Sequence, residues 1–227
     1  MQQPEATRLR AGAEALGVAL SDTQARQLLA YVDLLQRWNA TYNLTAVRER
    51  EQMLTQHLLD CLAIVPALSR ALPAGGAGGS GASGRRVLDV GSGGGLPGVV
   101  LAVMAGDLNV TCVDTVGKKT AFVQQVALSL GLRNLASVHG RVEQLKLPVF
   151  DLIVARAFAS LADFVHLTRT LLAPGGQWLA MKGKQPDDEL TALPKDIDVF
   201  HVERLVVPGL DAERCLVWMR LKSDAPP

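Results

Sequence analysis

The fold is decided by the stretch Val87–Gly98, which reads VLDVGSGGGLPG. Its first four residues include three aliphatic side chains, which is typical of a buried parallel strand. Glycines follow at once, and Pro97 then opens an apolar helical pattern. Proline suits the first turn of a helix, where its missing N–H is no loss. A strand, a tight glycine turn and a helix in this order predict a nucleotide-cofactor site, because glycine lets the backbone approach a ligand closely.

Two cofactor types fit such a turn. Gly93–Gly98 matches the dinucleotide pattern G-x-G-x-x-G, but the strand ends at Val90 and the first turn glycine should be Gly91. We expect the carboxylate of Asp89 at the mouth of the site, where it would repel a pyrophosphate and attract the cationic groups of S-adenosylmethionine. Alternatively, Asp89 caps the following helix. The turn favours S-adenosylmethionine over NAD, with Gly91 and Gly93 as cofactor-binding candidates.

Asp114 is a candidate for the ribose of the cofactor. It ends the second predicted strand, about 20 residues beyond the glycine turn, where such folds place the carboxylate that binds the ribose hydroxyls. A carboxylate accepts two hydrogen bonds and suits a cis-diol. The alternative is an ordinary aspartate in a turn at the end of a strand.

The loops after the third and fourth predicted strands supply further candidates. Val142 and Glu143 should lie beside the adenine ring, although Glu143 also suits the first turn of a helix. The segment Arg156–Ala159 offers no carboxamide and no general base. This argues against attack by an amine and favours a nucleophile without a proton to lose, such as guanine N7. Arg156 could bind the cofactor carboxylate, an RNA phosphate or the guanine edge, or it could be a structural, charge-paired arginine.

Four lysines are candidates for RNA binding. Lys118 and Lys119 open the helix after the second strand, and Lys182 and Lys184 flank Gly183 at the end of the fifth strand. Basic residues at a helix N-terminus oppose the helix dipole, which favours a phosphate partner. The alternative is that these lysines are only solvated.

Composition restricts the class of protein. The chain has 227 residues, 23 of them basic and 22 acidic, for a formal net charge of +1, so a nucleic acid would have to bind a local patch. Its three cysteines are far apart and suggest a reducing, cytoplasmic setting without metal. No stretch is long enough to span a membrane.

The chain is expected to have three parts. Residues 1–72 read as a helical N-terminal extension, with a Ser21–Gln24 capping box and helices over 22–39 and 49–65. Residues 73–84 read as a glycine-rich flexible linker, and 85–227 as a Rossmann-like domain. In that domain, strands are predicted over 86–90, 110–114, 135–139, 150–155 and 176–182, a C-terminal hairpin over 197–207 and 214–222, and helices over 97–105, 117–130, 161–172 and 186–192. The fold class is α/β, with a mostly parallel sheet and an antiparallel C-terminal hairpin.

These motifs together resemble one family. Leu88–Gly98, Arg156–Ala159, Trp38–Thr45 and the segment His57–Asp60 are similar to those of the bacterial small-subunit rRNA guanine-N7 methyltransferase G, also called glucose-inhibited division protein B. The resemblance implies a class I methyltransferase fold and S-adenosylmethionine-dependent methylation of guanine 527 in the 530 loop of 16S rRNA. It also implies cofactor contacts at the matching positions, which are Gly91, Leu96, Val142, Glu143 and Arg156.

The expected partner is 16S rRNA or a small-subunit ribosomal particle, bound by a monomer without metal or membrane. We name no catalytic proton carrier, because N7 methylation needs none. The alternatives are a methyltransferase that acts on a protein or a small molecule, an NAD(P)-dependent oxidoreductase, and a non-catalytic RNA-binding module.

Overall fold

Aliphatic runs form a seven-stranded sheet in the computed structural model, which describes residues 2–71 and 84–222. The strands are β1 (Arg86–Val90), β2 (Asn109–Asp114), β3 (Leu135–His139), β4 (Phe150–Ala155), β5 (Leu172–Lys182), β6 (Ile197–Leu205) and β7 (Arg214–Leu221). Their order is β3-β2-β1-β4-β5-β7-β6. Strands β1 to β5 pair in parallel, whereas β7 is antiparallel to both β5 and β6. The predicted fold class is therefore confirmed.

The N-terminal part is helical, but its second predicted helix is subdivided. Ser21 Oγ accepts from the Gln24 N–H at 3.2 Å and Gln24 Oε1 accepts from the Ser21 N–H at 3.0 Å, which confirms the capping box. The helices are α1 (Gln2–Ala15), α2 (Asp22–Tyr42), α3 (Arg50–Met53), α4 (Asp60–Leu62) and α5 (Val65–Ala71). A π-helical segment, Leu54–Leu59, joins α3 to α4. The single helix expected over 49–65 thus contains a π-helical segment and ends at Leu62, and a separate helix begins at Val65.

The helix expected over 22–39 is longer than predicted, because α2 continues to Tyr42. The helix ends at Asn43, which has a left-handed backbone with φ +50°. Asn39 then holds the loop: its Oδ1 accepts from the Thr45 N–H at 2.9 Å and its Nδ2 donates to the Val47 carbonyl at 3.2 Å. A polar side chain inside the helix therefore fixes the chain that leaves it.

The remaining helices connect or follow the strands. They are α6 (Gly98–Met104), α7 (Gly117–Leu130), α8 (Leu161–Thr168) and α9 (Asp187–Thr191). The helix expected over 161–172 ends at Thr168, and a 3-10 turn over Arg169–Leu171 leads into β5. Strand β5 begins at Leu172 rather than at 176, because Leu172 pairs with Phe150 of β4.

The N-terminal helices pack directly on the sheet domain. Residues of both parts belong to one hydrophobic core. The amide of Gln24 donates to the Met104 carbonyl at 3.2 Å, and that of Gln27 to the Leu130 carbonyl at 3.0 Å. The predicted linker 73–84 lies outside the described residues, apart from Gly84. Within 2–71 and 84–222, no helix has the length and apolar character needed to cross a membrane.

Candidate active site

The glycine turn after β1 forms an open cradle. Its start is fixed by the Val113 carbonyl of β2, which accepts from the Gly91 N–H at 2.9 Å and the Ser92 N–H at 3.1 Å. Gly91 and Gly93 have left-handed backbones, with φ +69° and +58°. A Cβ atom at either position would meet no other atom within 4 Å. The space that a side chain would fill at these two positions is therefore open. A ligand that binds close to the backbone requires such a space.

Asp89 is not at the mouth of the site, so that expectation is wrong. Its side chain is fully buried beneath the turn, and Oδ2 accepts from the Gly98 N–H at 2.7 Å. Burial raises the pKa of Asp89 to about 7, against the lowering effect of the Gly98 hydrogen bond. The carboxyl group thus caps α6, which is the alternative that the sequence left open.

Asp114 lies at the carboxyl end of β2 and supports the same turn. Its Oδ2 accepts from the Gly93 N–H at 2.9 Å, and its Oδ1 accepts from the Val116 N–H at 2.8 Å. Lys119 Nζ is 3.8 Å from Oδ2. Since each carboxylate oxygen has two lone pairs, each can still accept a hydrogen bond from a ligand hydroxyl. The ribose role of Asp114 stays a prediction.

The other candidate cofactor contacts differ in exposure. Leu96 and Val142 are buried and pack into the hydrophobic core, at 4% and 6% exposure. Glu143 is exposed in the 3-10 turn Val142–Gln144, with Oε1 3.9 Å from Arg141 Nη1. Any cofactor contact of Leu96 or Val142 would therefore involve little of its side chain.

Arg156 follows β4 and bridges to the N-terminal helices. Its Nη1 donates to the Gln56 carbonyl at 3.0 Å and to Asp60 Oδ2 at 3.3 Å. Asp60 is 2% exposed, and its Oδ1 accepts from Arg214 Nε at 2.7 Å. One buried carboxylate thus holds two guanidinium groups, leaving a net positive charge. The charge-paired alternative for Arg156 is seen in the structure, and its ligand roles stay predictions.

A cavity of about 350 Å³ opens beside this ion-pair network. Its walls come from the π-helical segment, the loop after β4 and the ends of β5 and β7, and include His57, Asp60, Arg156, Lys182 and Arg214. Single π-helical turns are frequent at functional sites. The cavity lies where the fourth and fifth strands end, which is the edge at which open α/β sheets bind ligands.

The four candidate RNA-binding lysines have different environments. Lys118 and Lys184 are exposed. Lys119 is near Asp114, whereas Lys182 Nζ contacts both carboxylate oxygens of Glu189 at 2.8 and 2.9 Å. Lys182 is therefore committed to an ion pair within the chain. RNA contact by all four lysines stays a prediction.

Sequence reasoning did not identify Asp60 and Arg214 as members of this site. They are separated by 154 positions in the chain, and no local spacing connects them. In the sequence His57 is only part of the family-like segment His57–Asp60, whereas the structure places it in the cavity wall. Within residues 2–71 and 84–222, no group of three or more metal-ligating side chains could hold a metal ion.

The strand order, the antiparallel β7 and the glycine turn after β1 define the class I S-adenosylmethionine-dependent methyltransferase fold. Solved structures share it. TrmN from Thermus thermophilus has a TM-score of 0.54 at 21% identity, over 74% of this chain and 53% of that chain. A ribosomal protein L11 methylase from Lactobacillus delbrueckii subsp. bulgaricus has a TM-score of 0.52 at 16% identity, over 77% of this chain and 80% of that chain.

The particular family follows from sequence. The chain matches the family of rRNA small subunit methyltransferase G, GidB, over residues 24–217. It is 60% identical over 223 residues to the ribosomal RNA small subunit methyltransferase G of Leptothrix cholodnii, covering 98% of this chain and 99% of that protein. The corresponding enzyme of Acidovorax ebreus is 59% identical over 212 residues, covering 93% of each chain. The chain belongs to this methyltransferase family.

Proposed function

We propose that this protein transfers a methyl group from S-adenosylmethionine to N7 of guanine 527 in the 530 loop of 16S rRNA. The observation that carries the proposal is the family match over residues 24–217, which includes the glycine turn, Asp114 and Arg156. An rRNA substrate would place the protein in the bacterial cytoplasm. This family match does not support the two competing hypotheses, an oxidoreductase and a non-catalytic RNA-binding protein.

The cradle fits the cofactor. The open space at Gly91 and Gly93 admits a ligand close to the backbone, and Asp114 beside it has acceptor capacity for ribose hydroxyls. Arg156 offers a guanidinium group for a carboxylate. When bound, S-adenosylmethionine supplies a methyl group on a positively charged sulfur. The role of the chain would be to align donor and acceptor, which can contribute about 7–11 kcal/mol to a reaction of this type.

The ionisable groups around the cavity support an acceptor that loses no proton. Burial, reinforced by the nearby charge of Arg156, lowers the pKa of His57 to about 4. Each carboxylate oxygen of Asp60 forms an ion pair with one guanidinium group. Neither residue is suited to deprotonating an amine at neutral pH. Guanine N7 needs no base, because its in-plane lone pair attacks directly.

Exposed basic residues near the site would hold the RNA backbone. Lys118 lies in the first turn of α7, after β2, and Lys184 follows β5, so both belong to the edge of the sheet that carries the glycine turn. Contacts of this kind with phosphate make RNA affinity fall as salt concentration rises. We expect replacing Lys118 and Lys184 by glutamine to reduce the slope of that salt dependence.

Methyl transfer by the purified protein tests the proposal. The enzyme is incubated with tritium-labelled S-adenosylmethionine in separate reactions. The acceptors are small ribosomal subunits from cells lacking the enzyme, 16S rRNA extracted from those subunits, and the protein and metabolite fractions of the same cells. We expect label in 16S rRNA, at a single guanine that becomes sensitive to cleavage at 7-methylguanine. Label confined to protein or metabolites would contradict the proposal, and comparison of particle with naked RNA identifies the form that is used.

A further inference from the structure

Tyr42 is an aromatic residue at the surface of the protein. It is the last residue of α2, in the segment Trp38–Thr45, to which the methyl-transfer scheme gives no role. Its side chain is 41% exposed. Within residues 2–71 and 84–222, the exposed aromatic residues are Tyr42 and Phe200. The ring of Tyr42 is therefore accessible to a partner.

A row of aromatic contacts holds Tyr42 in place. The centroid of its ring is 5.2 Å from that of Trp38, which in turn is 5.5 Å from that of Phe122. Trp38 is half-buried and Phe122 is fully buried, so the row runs from the surface into the core. A ring that is already fixed loses little conformational freedom when it binds a ligand.

The same contacts connect Tyr42 to the cofactor cradle. Phe122 lies in the second turn of α7, the helix that follows the carboxyl end of β2. Its Cε1 atom is 4.0 Å from the position that a Cβ would take on Gly94, in the glycine turn. Lys118, a candidate for RNA contact, lies one helical turn before Phe122. Tyr42 is thus two ring contacts away from a residue that packs on the turn.

A basic side chain lies next to Tyr42. Asn43 follows Tyr42 directly, and its Oδ1 accepts from Arg48 Nη2 at 3.1 Å. Arg48 is exposed, and no acidic residue in the described part of the chain forms an ion pair with it. Its guanidinium group therefore has donors and an unpaired charge available for an anion.

The loop after α2 also contacts the wall of the cavity. Thr45, in this loop, has its Oγ1 2.9 Å from Nε2 of His57. His57 and Arg156 both line the cavity. The chain between Tyr42 and Arg48 is therefore joined by direct contacts to the cavity, just as the aromatic row joins Tyr42 to the cradle.

The chemistry of this surface fits a nucleotide. An aromatic ring can stack on the face of any unpaired base, and a guanidinium group beside it can bind a phosphate of the same strand. The neighbouring exposed residues Thr41, Asn43 and Ala46 are small or polar. The surface thus lacks the broad apolar centre of a stable protein–protein interface.

We propose that Tyr42 stacks on an unpaired base that flanks the target guanine and that Arg48 binds a phosphate of the same RNA segment. The helical N-terminal extension is then part of the RNA-binding surface, in addition to supporting the sheet domain. Both residues bind substrate and take no part in the transfer itself. The inference rests on the proposed function, because it names a surface that recognises the RNA of that reaction.

Substitutions of Tyr42 test the stacking contact. Tyr42→Leu keeps an apolar side chain that suits a helix but removes the aromatic face. With small ribosomal subunits from cells lacking the enzyme, we expect kcat/KM to fall on the order of 10- to 100-fold, almost entirely through KM. Tyr42→Phe keeps the aromatic face and should retain at least about five times the kcat/KM of Tyr42→Leu. A wild-type kcat/KM in Tyr42→Leu, or equal impairment of the two variants, overturns the proposal.

Salt dependence separates the two contacts. Loss of one phosphate contact lowers the slope of log Kd against log salt concentration by about 1, whereas stacking neutralises no phosphate. Arg48→Gln should therefore bind the subunits more weakly than wild type and with a lower slope. Tyr42→Leu should bind more weakly with the wild-type slope. A wild-type slope in Arg48→Gln, or a lowered slope in Tyr42→Leu, contradicts the assigned contact.

Matched controls come from exposed residues away from the site. Phe200 is 37% exposed on β6, at the far edge of the sheet, and the Arg220 guanidinium lies 4.7 Å from its ring centroid, so Phe200→Leu should have wild-type kcat/KM. Arg26 is exposed near the opposite end of α2, and Arg26→Gln should keep the wild-type salt slope. Calorimetric affinity for S-adenosylhomocysteine should stay within about twofold of wild type in Tyr42→Leu. A large loss of that affinity would show that Tyr42 acts through the glycine turn, and would overturn the proposal.

Photocrosslinking identifies the partner of this surface directly. The photoreactive residue p-benzoylphenylalanine replaces Tyr42, and the protein is irradiated in complex with the same small subunits. We expect adducts on 16S rRNA within a few nucleotides of the target guanine. Adducts confined to a ribosomal protein, or no adduct on rRNA, overturn the proposal. Failure of the wild-type enzyme to methylate the rRNA overturns the proposed function instead.

Discussion

Replacing Gly91 by alanine should weaken cofactor binding while the protein still folds. Gly91 has φ +69°, and a Cβ there would meet no protein atom within 4 Å. The loss in the free energy of unfolding is then only the cost of a left-handed alanine, about 1–2 kcal/mol. The new methyl group stands in the space that a ligand must occupy, so we expect the Kd for S-adenosylhomocysteine to rise at least about tenfold, or ~1.4 kcal/mol.

Gly17 provides a matched control for this substitution. It lies between α1 and α2, has φ +71°, and likewise has no atom within 4 Å of its Cβ position. Gly17→Ala should therefore have the same backbone cost with unchanged affinity for S-adenosylhomocysteine. Urea unfolding measures the first quantity and isothermal calorimetry the second. Wild-type affinity in Gly91→Ala, or an equal loss of affinity in Gly17→Ala, would refute the reasoning.

Three further substitutions test the support of the turn. The buried Tyr31 hydroxyl donates to the Gly94 carbonyl at 2.8 Å, so Tyr31→Phe should lower the free energy of unfolding by about 2 kcal/mol and Tm by about 4–8 °C, whereas the exposed Tyr42→Phe should do neither. The pKa of Asp89 is raised to about 7, so the folded state holds a proton that the unfolded state releases, and stability falls as pH rises from about 4 to 7. Asp89→Asn should remove that part of the pH dependence of urea unfolding, at most ~1.4 kcal/mol per pH unit, and a pH-independent difference from wild type would contradict it. Asp114→Ala should raise the Kd for S-adenosylhomocysteine in calorimetry, and equal affinity would reject its ribose role.

Local patterns were sufficient to predict the sheet and the position of the turn. Alternation of apolar strands with helical periods identified β1 to β5, and the glycines marked the turn that the structure places beside Asp114. The capping box at Ser21 was equally local. Such features depend on residues only a few positions apart, so the sequence displays them directly.

Contacts between distant segments were not predictable in the same way. Asp60 meets Arg156 and Arg214 across 96 and 154 positions, and Tyr31 meets Gly94 across 63. The burial of Asp89 depends on how α6 sits over β1, which no pattern in the stretch specifies. Tertiary packing thus decided which charged groups became structural and which side chains line the cavity.

The modification state of 16S rRNA in cells tests the central claim most directly. Mass spectrometry of nuclease digests compares 16S rRNA from wild-type cells, from cells lacking the gene, and from the latter supplied with it again. We predict that 7-methylguanine at position 527 disappears in the deletion strain and returns on complementation. Full methylation of that guanine in the absence of the protein would contradict the account.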